Sequence, residues 1–500
     1  MASRKVVFFF PAFSSLEATA PLGILAVSTP LLRAGYQVRI VDSTITPNFR
    51  KRVLDELTDS VCLAVSLVTG PMIRETVAIA RAAKQLFPEK PVILGGWHPS
   101  LLPEQTLAAE FVDVVVRGQG EDAMLEVVER IRRGESLDGI PGVGYKQDGR
   151  LVFNSPRELR PLSEMPPKAY QLADFDAYER VCGRRWAMYI SSLACPYNCA
   201  FCTNAGVYSR QWNALEPEHA AAEMTDLVRR YGLELLWVVD DNFLVDLDRA
   251  VAIAEAIVRH GVRFDWSVQA TTNLVARLSV EELKLLRRAG LSQICHGAES
   301  ASPKVLKLMN KDFQALETVR TAAEKCTAAG IRPSFNIIFA FPGEGESERR
   351  ETVRFIMETC RSYPKAEFWT NIFTPYPGSP VMEKVAEYGI ETPQSFEGWA
   401  DFFPRYTTLP WLKGRAHRRV QTMRDYLRLA FERVPIAKDR RRPLTRAMHK
   451  AAGYSARWRL DHDVYGAPLE LWMKNVLTRA LETPKPKVDA QQLEAEAVTC

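Results

Sequence analysis

Three of the chain's nine cysteines stand within eight positions of one another, because "ACPYNCAFCTN" places Cys195, Cys199 and Cys202 at C-x3-C-x2-C. In a reducing compartment, cysteines grouped this tightly more often mean metal or catalysis than disulfides. A zinc site usually takes four ligands, often as two C-x2-C pairs. No second pair is present: Cys62, Cys182, Cys295, Cys326, Cys360 and Cys500 are scattered. A [4Fe–4S] cluster normally takes four thiolates. Three thiolates in one loop leave one iron open to an exogenous ligand, and that open position is the chemistry the spacing predicts.

Such a loop needs a rigid frame. From Trp186 to about Pro393, strand-like segments ("WAMYISS", "LELLWVVDD", "RFDWSVQA", "QICHGAES", "RPSFNIIFAFPG", "EFWTNIFTPYPG") alternate with helical stretches. Each segment ends in polar or glycine residues. Six βα units predict a barrel or partial barrel with its active site at the strand C-termini. The cysteine loop follows the first of these strands and so belongs at the mouth. Asp240 and Asp241 end the second strand and are expected to face the mouth, with Glu299 in "GAES" beside them. Gln269 and Asn336 lie on neighbouring strands.

The first 130 or so residues alternate in the same way. "KVVFFF" (Lys5–Phe10), "QVRIVD" (Gln37–Asp42), "VCLAVSL" (Val61–Leu67), "PVILGG" (Pro91–Gly96) and "VDVVVRG" (Val112–Gly118) are short, nearly continuous apolar runs. Such runs suit a parallel sheet covered on both faces. A doubly wound domain binds ligands at the carboxyl ends of its strands. Three unusual segments collect there: Ser66, Thr69 and Gly70 in "SLVTG"; Gly95, Gly96 and His98 in "GGWHPSLLPE"; Gly118, Gly120 and Glu121 in "RGQGE". Glycines let a backbone approach a ligand closely.

At 500 residues the chain should hold two or three domains. Its composition, 47% hydrophobic and 25% charged, is that of a globular protein. No apolar run is long enough to span a membrane. "VVFFFP" is too short for a signal-peptide core, so a cytoplasmic location is expected, with peripheral membrane association open. "GVGYKQDGRLVF" reads as a hairpin about a tight "DG" turn and "PLSEMPPKAY" as a linker. The boundaries expected are 1–140, 141–185 (hairpin and linker), 186–395, a mainly helical 396–482, and a disordered tail 483–500.

Net charge is +5 overall, but Arg405–Arg459 carries 16 Lys/Arg against 3 Asp/Glu, a local +13 that leaves −8 for the rest. Val420, Met423, Leu427, Phe431 and Val434 share one helical face in this region. Interleaved aromatics, Trp411, Tyr426, Tyr454, Trp458 and Trp472 among them, suit a hydrophobic substrate or an anionic membrane surface. No RNA-binding module accompanies the charge, so nucleic acid is not an expected partner.

The cysteine spacing, with Phe201 before the third cysteine in "CAFC", resembles the radical S-adenosylmethionine (SAM) superfamily. "VVDDNF", "GAESASPKVLKLMNK", "FNIIFAFPGE" and "TPYPGSPVME" match in order the motifs of the subgroup with an N-terminal cobalamin-binding domain, as do "PLGILA", "GGWHPSLLPE" and "RGQGE". The resemblance implies a flavodoxin-like cobalamin domain, a partial (β/α)6 barrel and a basic helical C-terminal region. It implies a [4Fe–4S] cluster on Cys195, Cys199 and Cys202, with SAM held by Phe201, Asp240, Asp241, Gln269, Glu299 and Asn336. Cobalamin would contact Ser66, Thr69, Gly70, Gly95, Gly96, His98, Gly118, Gly120 and Glu121. The implied reaction is methylation of an unactivated carbon, fed by an electron donor such as flavodoxin or ferredoxin. Radical oxidation or cyclisation is the alternative within the architecture, and a non-catalytic cobalamin sensor the alternative outside it. Two departures stand out: the loop Pro11–Ala20 lacks the Asp-x-His-x-x-Gly pattern that supplies a cobalt ligand in many cobalamin proteins, and Gln119 replaces the usual glutamate.

Overall fold

The computed structural model describes residues 3–12, 18–402, 409–431 and 443–472, without the side chains of 443–449. The expectations for Val434 and for the tail 483–500 therefore lie outside the described residues, as does the middle of the loop Pro11–Ala20.

The first sheet contains β1 (Lys5–Phe10), β2 (Gln37–Asp42), β3 (Cys62–Ser66), β4 (Val92–Gly95), β5 (Val114–Val116), β6 (Val143–Gln147) and β7 (Arg150–Phe153). Its order is β2-β1-β3-β4-β5-β6-β7. The first five strands are parallel; β1, β3, β4 and β5 are buried on both faces, which is why they read as apolar runs, while β2 at the edge exposes Gln37 and Arg39. The order reverses between β1 and β3, the switch point at which such sheets open a crevice. The hairpin expected in the linker continues this sheet, pairing antiparallel with β5 through Val114–Tyr145 and Val116–Val143. Its turn residues Asp148 and Gly149 both have positive φ, 50° and 75°, as a two-residue hairpin turn requires.

The second sheet contains β8 (Trp186–Tyr189), β11 (Leu235–Val238), β12 (Asp265–Ala270), β13 (Leu291–Glu299), β14 (Arg332–Phe339) and β15 (Glu367–Ile372), in that order and all parallel. This is the expected partial barrel of six strands. Two short strands, β9 (Ser192–Leu193) and β10 (Asn213–Ala214), pair antiparallel and pin the two ends of the cysteine loop.

The domains share one core, in which Val65, Leu94 and Phe111 of the first pack with Phe339, Phe396 and Trp399 beyond it. The linker clasps the first domain: Thr29 Oγ1 donates to Pro167 O, and Ala169 N to Leu25 O. Gln119 explains its own departure from the family pattern. Its amide donates to Arg160 O and accepts from Arg160 N, at 2.9 and 2.7 Å. A glutamate could only accept. After the barrel, residues 396–402 return to the first domain instead of starting the basic helices. Trp399 donates to Gln105 Oε1 at 2.8 Å, and Asp401 pairs with Arg74. The basic region then forms the helices Gly414–Phe431 and Pro443–Asp461. Val420, Met423 and Leu427 are buried as expected from their spacing.

Candidate active site

The cysteine loop leaves β9 through Ala194, whose φ of 67° lies in the left-handed region that alanine rarely occupies. That bend is fixed from both sides. Cys195 N donates to Asn204 Oδ1 (3.1 Å), and Cys202 N to Cys199 O (3.1 Å). Ala200 N donates to Met309 O (2.8 Å) and Ala200 O accepts from Val381 N (2.9 Å), so the loop is stitched to two later segments. Burial raises all three thiols, Cys199 to about 12. Thiols so raised ionise when a cation supplies the compensating charge. Among the described residues no three His, Cys, Asp or Glu side chains converge on a single-ion position. A cluster that gives each thiolate a different iron asks for no such convergence. Three thiols in one braced loop fit it.

The two aspartates divide their work. Asp240 does not face the mouth as expected: it is fully buried and accepts from Ser191 N, Ser191 Oγ and Ser192 Oγ, each at 2.6 Å. Both its oxygens are spent on holding the start of the loop. Asp241 instead lines a cavity, and burial lifts its carboxyl to about 6. Glu299 closes β13 with φ 59° and is buried, paired at 2.9 Å with Lys311 Nζ. That lysine sits 5.8 Å from the centre of the Phe201 ring. A Cβ at Gly297 would lie 2.4 Å from Glu299 Oε1 and 2.7 Å from Lys311 Nζ, so only glycine leaves room for the pair. Lys311 was missed from sequence. It lies in the quoted motif, but nothing local shows it folding back onto Glu299. Gln269 and Asn336 are half-buried on β12 and β14, in register with Cys295 and Gly297 of β13. Neither amide has a protein partner among the described residues.

A cavity of about 440 Å³ lies where the carboxyl ends of both sheets meet. Ser66, Gly95, Gly96, Gly118, Gly120 and Glu121 form one wall, as expected. Ile190, Leu193, Tyr208, Val239 and Asp241 form the other. Its size is within the range of small-molecule and cofactor pockets. Gly118 has φ 68° and a Cβ there would meet no atom within 4 Å, while Gly96 has φ 96° with Leu67 O only 2.6 Å from where its Cβ would stand. The backbone thus forms a bare cradle suited to a broad ligand. Lys168 and Glu121 bring opposite charges into the cavity, and burial lowers the first and raises the second.

Three expected contacts lie elsewhere. His98 is fully buried away from the cavity, packed on Phe396 and Trp399, with Nδ1 bonded to Thr69 Oγ1 at 2.9 Å. Burial lowers it to about 4, so it is neutral. Thr69 is spent on His98, and Gly70 (φ 118°) turns β3 into the helix Met72–Leu86. A histidine covered by the returning segment 396–402 is a packing residue.

Two domains joined in this way, a doubly wound one and a partial barrel with a three-cysteine loop, define a class, and comparison with known proteins agrees. Residues 189–356 match the radical SAM superfamily and residues 13–128 the B12 binding domain. The chain thus carries a radical SAM domain and a B12 binding domain. It is 27% identical over 419 residues to an uncharacterized methyltransferase of Pyrococcus horikoshii, covering 82% of this chain and 86% of that protein. It is 27% identical over 375 residues to the hopanoid C-3 methylase of Methylococcus capsulatus, covering 72% and 67%. The structure of the radical SAM methyltransferase TsrM from Kitasatospora setae, with cobalamin and a [4Fe–4S] cluster, has the same fold, with a TM-score of 0.67, 18% identity, and 94% and 100% of the two chains covered.

Proposed function

We propose that the protein is a cobalamin-dependent radical SAM enzyme that methylates an unactivated carbon. The observation that carries this reading is that one cavity is walled by both sheets. A ligand on the glycine cradle of the first domain faces Leu193 and Asp241, which flank the cysteine loop. Similarity to proteins named as methyltransferases supports the reaction, and similarity to a hopanoid methylase supports a lipid-like substrate.

When bound, the cluster and SAM supply a radical that removes hydrogen from carbon, and cobalamin supplies the methyl group. The chain's residues position and shield these groups. Cys195, Cys199 and Cys202 would hold the cluster through three thiolates, with one iron left for SAM. Asp240 fixes the loop through Ser191 and Ser192. Asp241, Gln269, Glu299 and Asn336 offer polar contacts for SAM, and Phe201 an apolar face. Gly95, Gly96, Gly118 and Gly120, with Ser66 and Glu121, would receive the cobalamin, since they line the cavity with little side-chain bulk. Apolar walls from Ile24, Met124 and Val239 exclude water from the reacting carbon. An external one-electron donor of the flavodoxin or ferredoxin type completes the reading, in a cytoplasmic protein.

The test is turnover of anaerobically reconstituted, cobalamin-loaded protein with methyl-labelled SAM, a reductant and candidate lipid substrates. Methylation requires 5′-deoxyadenosine, S-adenosylhomocysteine and label in the product together. Formation of 5′-deoxyadenosine without S-adenosylhomocysteine or label would favour oxidation or cyclisation. Absence of all three would favour a cobalamin sensor.

A further inference from the structure

The helix Pro443–Asp461 packs against Gly414–Phe431 through buried Gly453, Ala456 and Leu460. Its opposite face carries Tyr454 and Trp458, one helical turn apart and 58% and 55% exposed. Just beyond the helix, Leu469 and Trp472 are each 63% exposed. Single exposed apolar residues elsewhere on the surface are ordinary, but here they gather, because Glu470 accepts from Ser455 and Arg459 and so brings the segment carrying Leu469 and Trp472 back beside this helix. The aromatic rings are held out by polar neighbours: the Arg457 guanidinium lies 5.1 Å over Tyr454, and His462 stacks on Trp458 at 4.5 Å.

The charge around this patch is one-sided. Its acidic groups are already neutralised, because Asp461 pairs with Arg361, Asp463 with Arg350 and Arg419, and Glu470 with Arg459. Lys413, Arg415, Arg418 and Lys450 are exposed and have no partner among the described residues. Lys413 immediately precedes the neighbouring helix and Arg415 and Arg418 lie in its first two turns, at the end where Arg419 meets Asp463. The chain outside Arg405–Arg459 sums to −8, so net charge favours the approach of an anionic surface from this side.

We propose that this aromatic and basic face docks the protein on an anionic lipid bilayer. Tyr454, Trp458 and Trp472 enter the boundary between headgroups and acyl chains, where amphipathic rings are favoured, while the unpaired basic groups engage lipid charge. This inference goes beyond the proposed chemistry and does not rest on it.

The experiment is co-sedimentation of the full-length protein with vesicles of phosphatidylcholine alone and of phosphatidylcholine with phosphatidylglycerol, at about 0.1 M and about 1 M salt. Binding to the anionic vesicles at low salt is expected, about tenfold weaker or more at high salt or on neutral lipid. The double variant Trp458→Ala, Trp472→Ala and the triple variant Lys413→Glu, Arg415→Glu, Arg418→Glu should each lower it at least about tenfold. Their side chains are exposed, so circular dichroism and iron content should be unchanged. Equal, negligible binding to both vesicles overturns the proposal, as does anionic binding that survives both variants. A dimer that the tryptophan variant disperses, without vesicle binding by the parent, would assign the face to a second copy of the chain instead.

Discussion

Replacing Lys311 by methionine should cost the barrel about 3–5 kcal/mol, because it strands a buried carboxylate. The Lys311 and Glu299 side chains are 4% and 7% exposed, and their charged atoms stand 2.9 Å apart. At that distance the attraction is about 6 kcal/mol for an effective dielectric constant of 20. Burial opposes the ammonium, yet Glu299 and Cys199 outweigh it and hold the amine above the ordinary lysine range. Methionine matches the length of the stem but removes the charge, so Glu299 keeps its desolvation cost and loses its partner. The left-handed backbone at Glu299 adds strain that the pair helps to hold. The assay is urea denaturation of the metal-free protein for the parent, K311M, E299Q and the double variant. The double variant should recover more than half of the K311M loss, since removing both charges of a buried pair is far milder than removing one. A K311M protein within about 1 kcal/mol of the parent would refute the reasoning, because the pair would then be too well solvated to matter.

Alanine at any one of Cys195, Cys199 or Cys202 should abolish cluster incorporation and 5′-deoxyadenosine formation, while cobalamin binding by the first domain persists; iron content and cobalamin absorbance check both. Gly96→Ala should destabilise the first domain by about 1–3 kcal/mol, since φ 96° and the nearby Leu67 carbonyl leave no place for a Cβ, and cobalamin retention should fall with it. His98→Ala should lower stability by about 1–3 kcal/mol yet leave the spectrum of bound cobalamin unchanged; a spectral change showing loss of histidine ligation would contradict the packing role. Burial raises Glu344 from 4.5 to about 7. Between those values the folded state keeps a proton that the unfolded state has lost, so stability should fall by about 3 kcal/mol as pH rises through the window. Glu344→Gln should flatten that slope, as thermal melts at successive pH values would show; an unchanged slope would exonerate this carboxyl.

Local pattern was enough for the strands. The runs 5–10 and 37–42 became β1 and β2 with those same ends, because β1, buried on both faces, leaves a continuous apolar mark and β2, at the sheet edge, an alternating one. It was also enough to single out the cysteine loop, whose three thiols lie within one short segment, and the glycine segments that wall the cavity. It failed where a neighbour far along the chain decides. The hairpin 143–153 was legible as a hairpin but was set outside the first domain, because its pairing with β5 has no local signature. The basic segment showed its charge, but not that Asp461, Asp463 and Glu470 would return to cancel part of it.

What the sequence determined by itself was the alternation of strand and helix, the three-thiol loop at a strand end, and the uneven distribution of charge. These depend on residue types at fixed short spacings. Tertiary structure alone decided which side chains line the cavity. Asp240 and Asp241 are chemically identical neighbours, yet one is buried on two serines and the other lines the cavity, because successive residues leaving a strand turn to different sides. His98 stands beside cradle glycines in sequence but is sealed by Phe396 and Trp399, almost 300 positions later. Glu299 finds its counter-charge on Lys311 only because Gly297 leaves space for both. Each outcome depends on contacts between segments that the fold brings together, and residue spacing along the chain does not encode the direction in which a side chain will point once they meet.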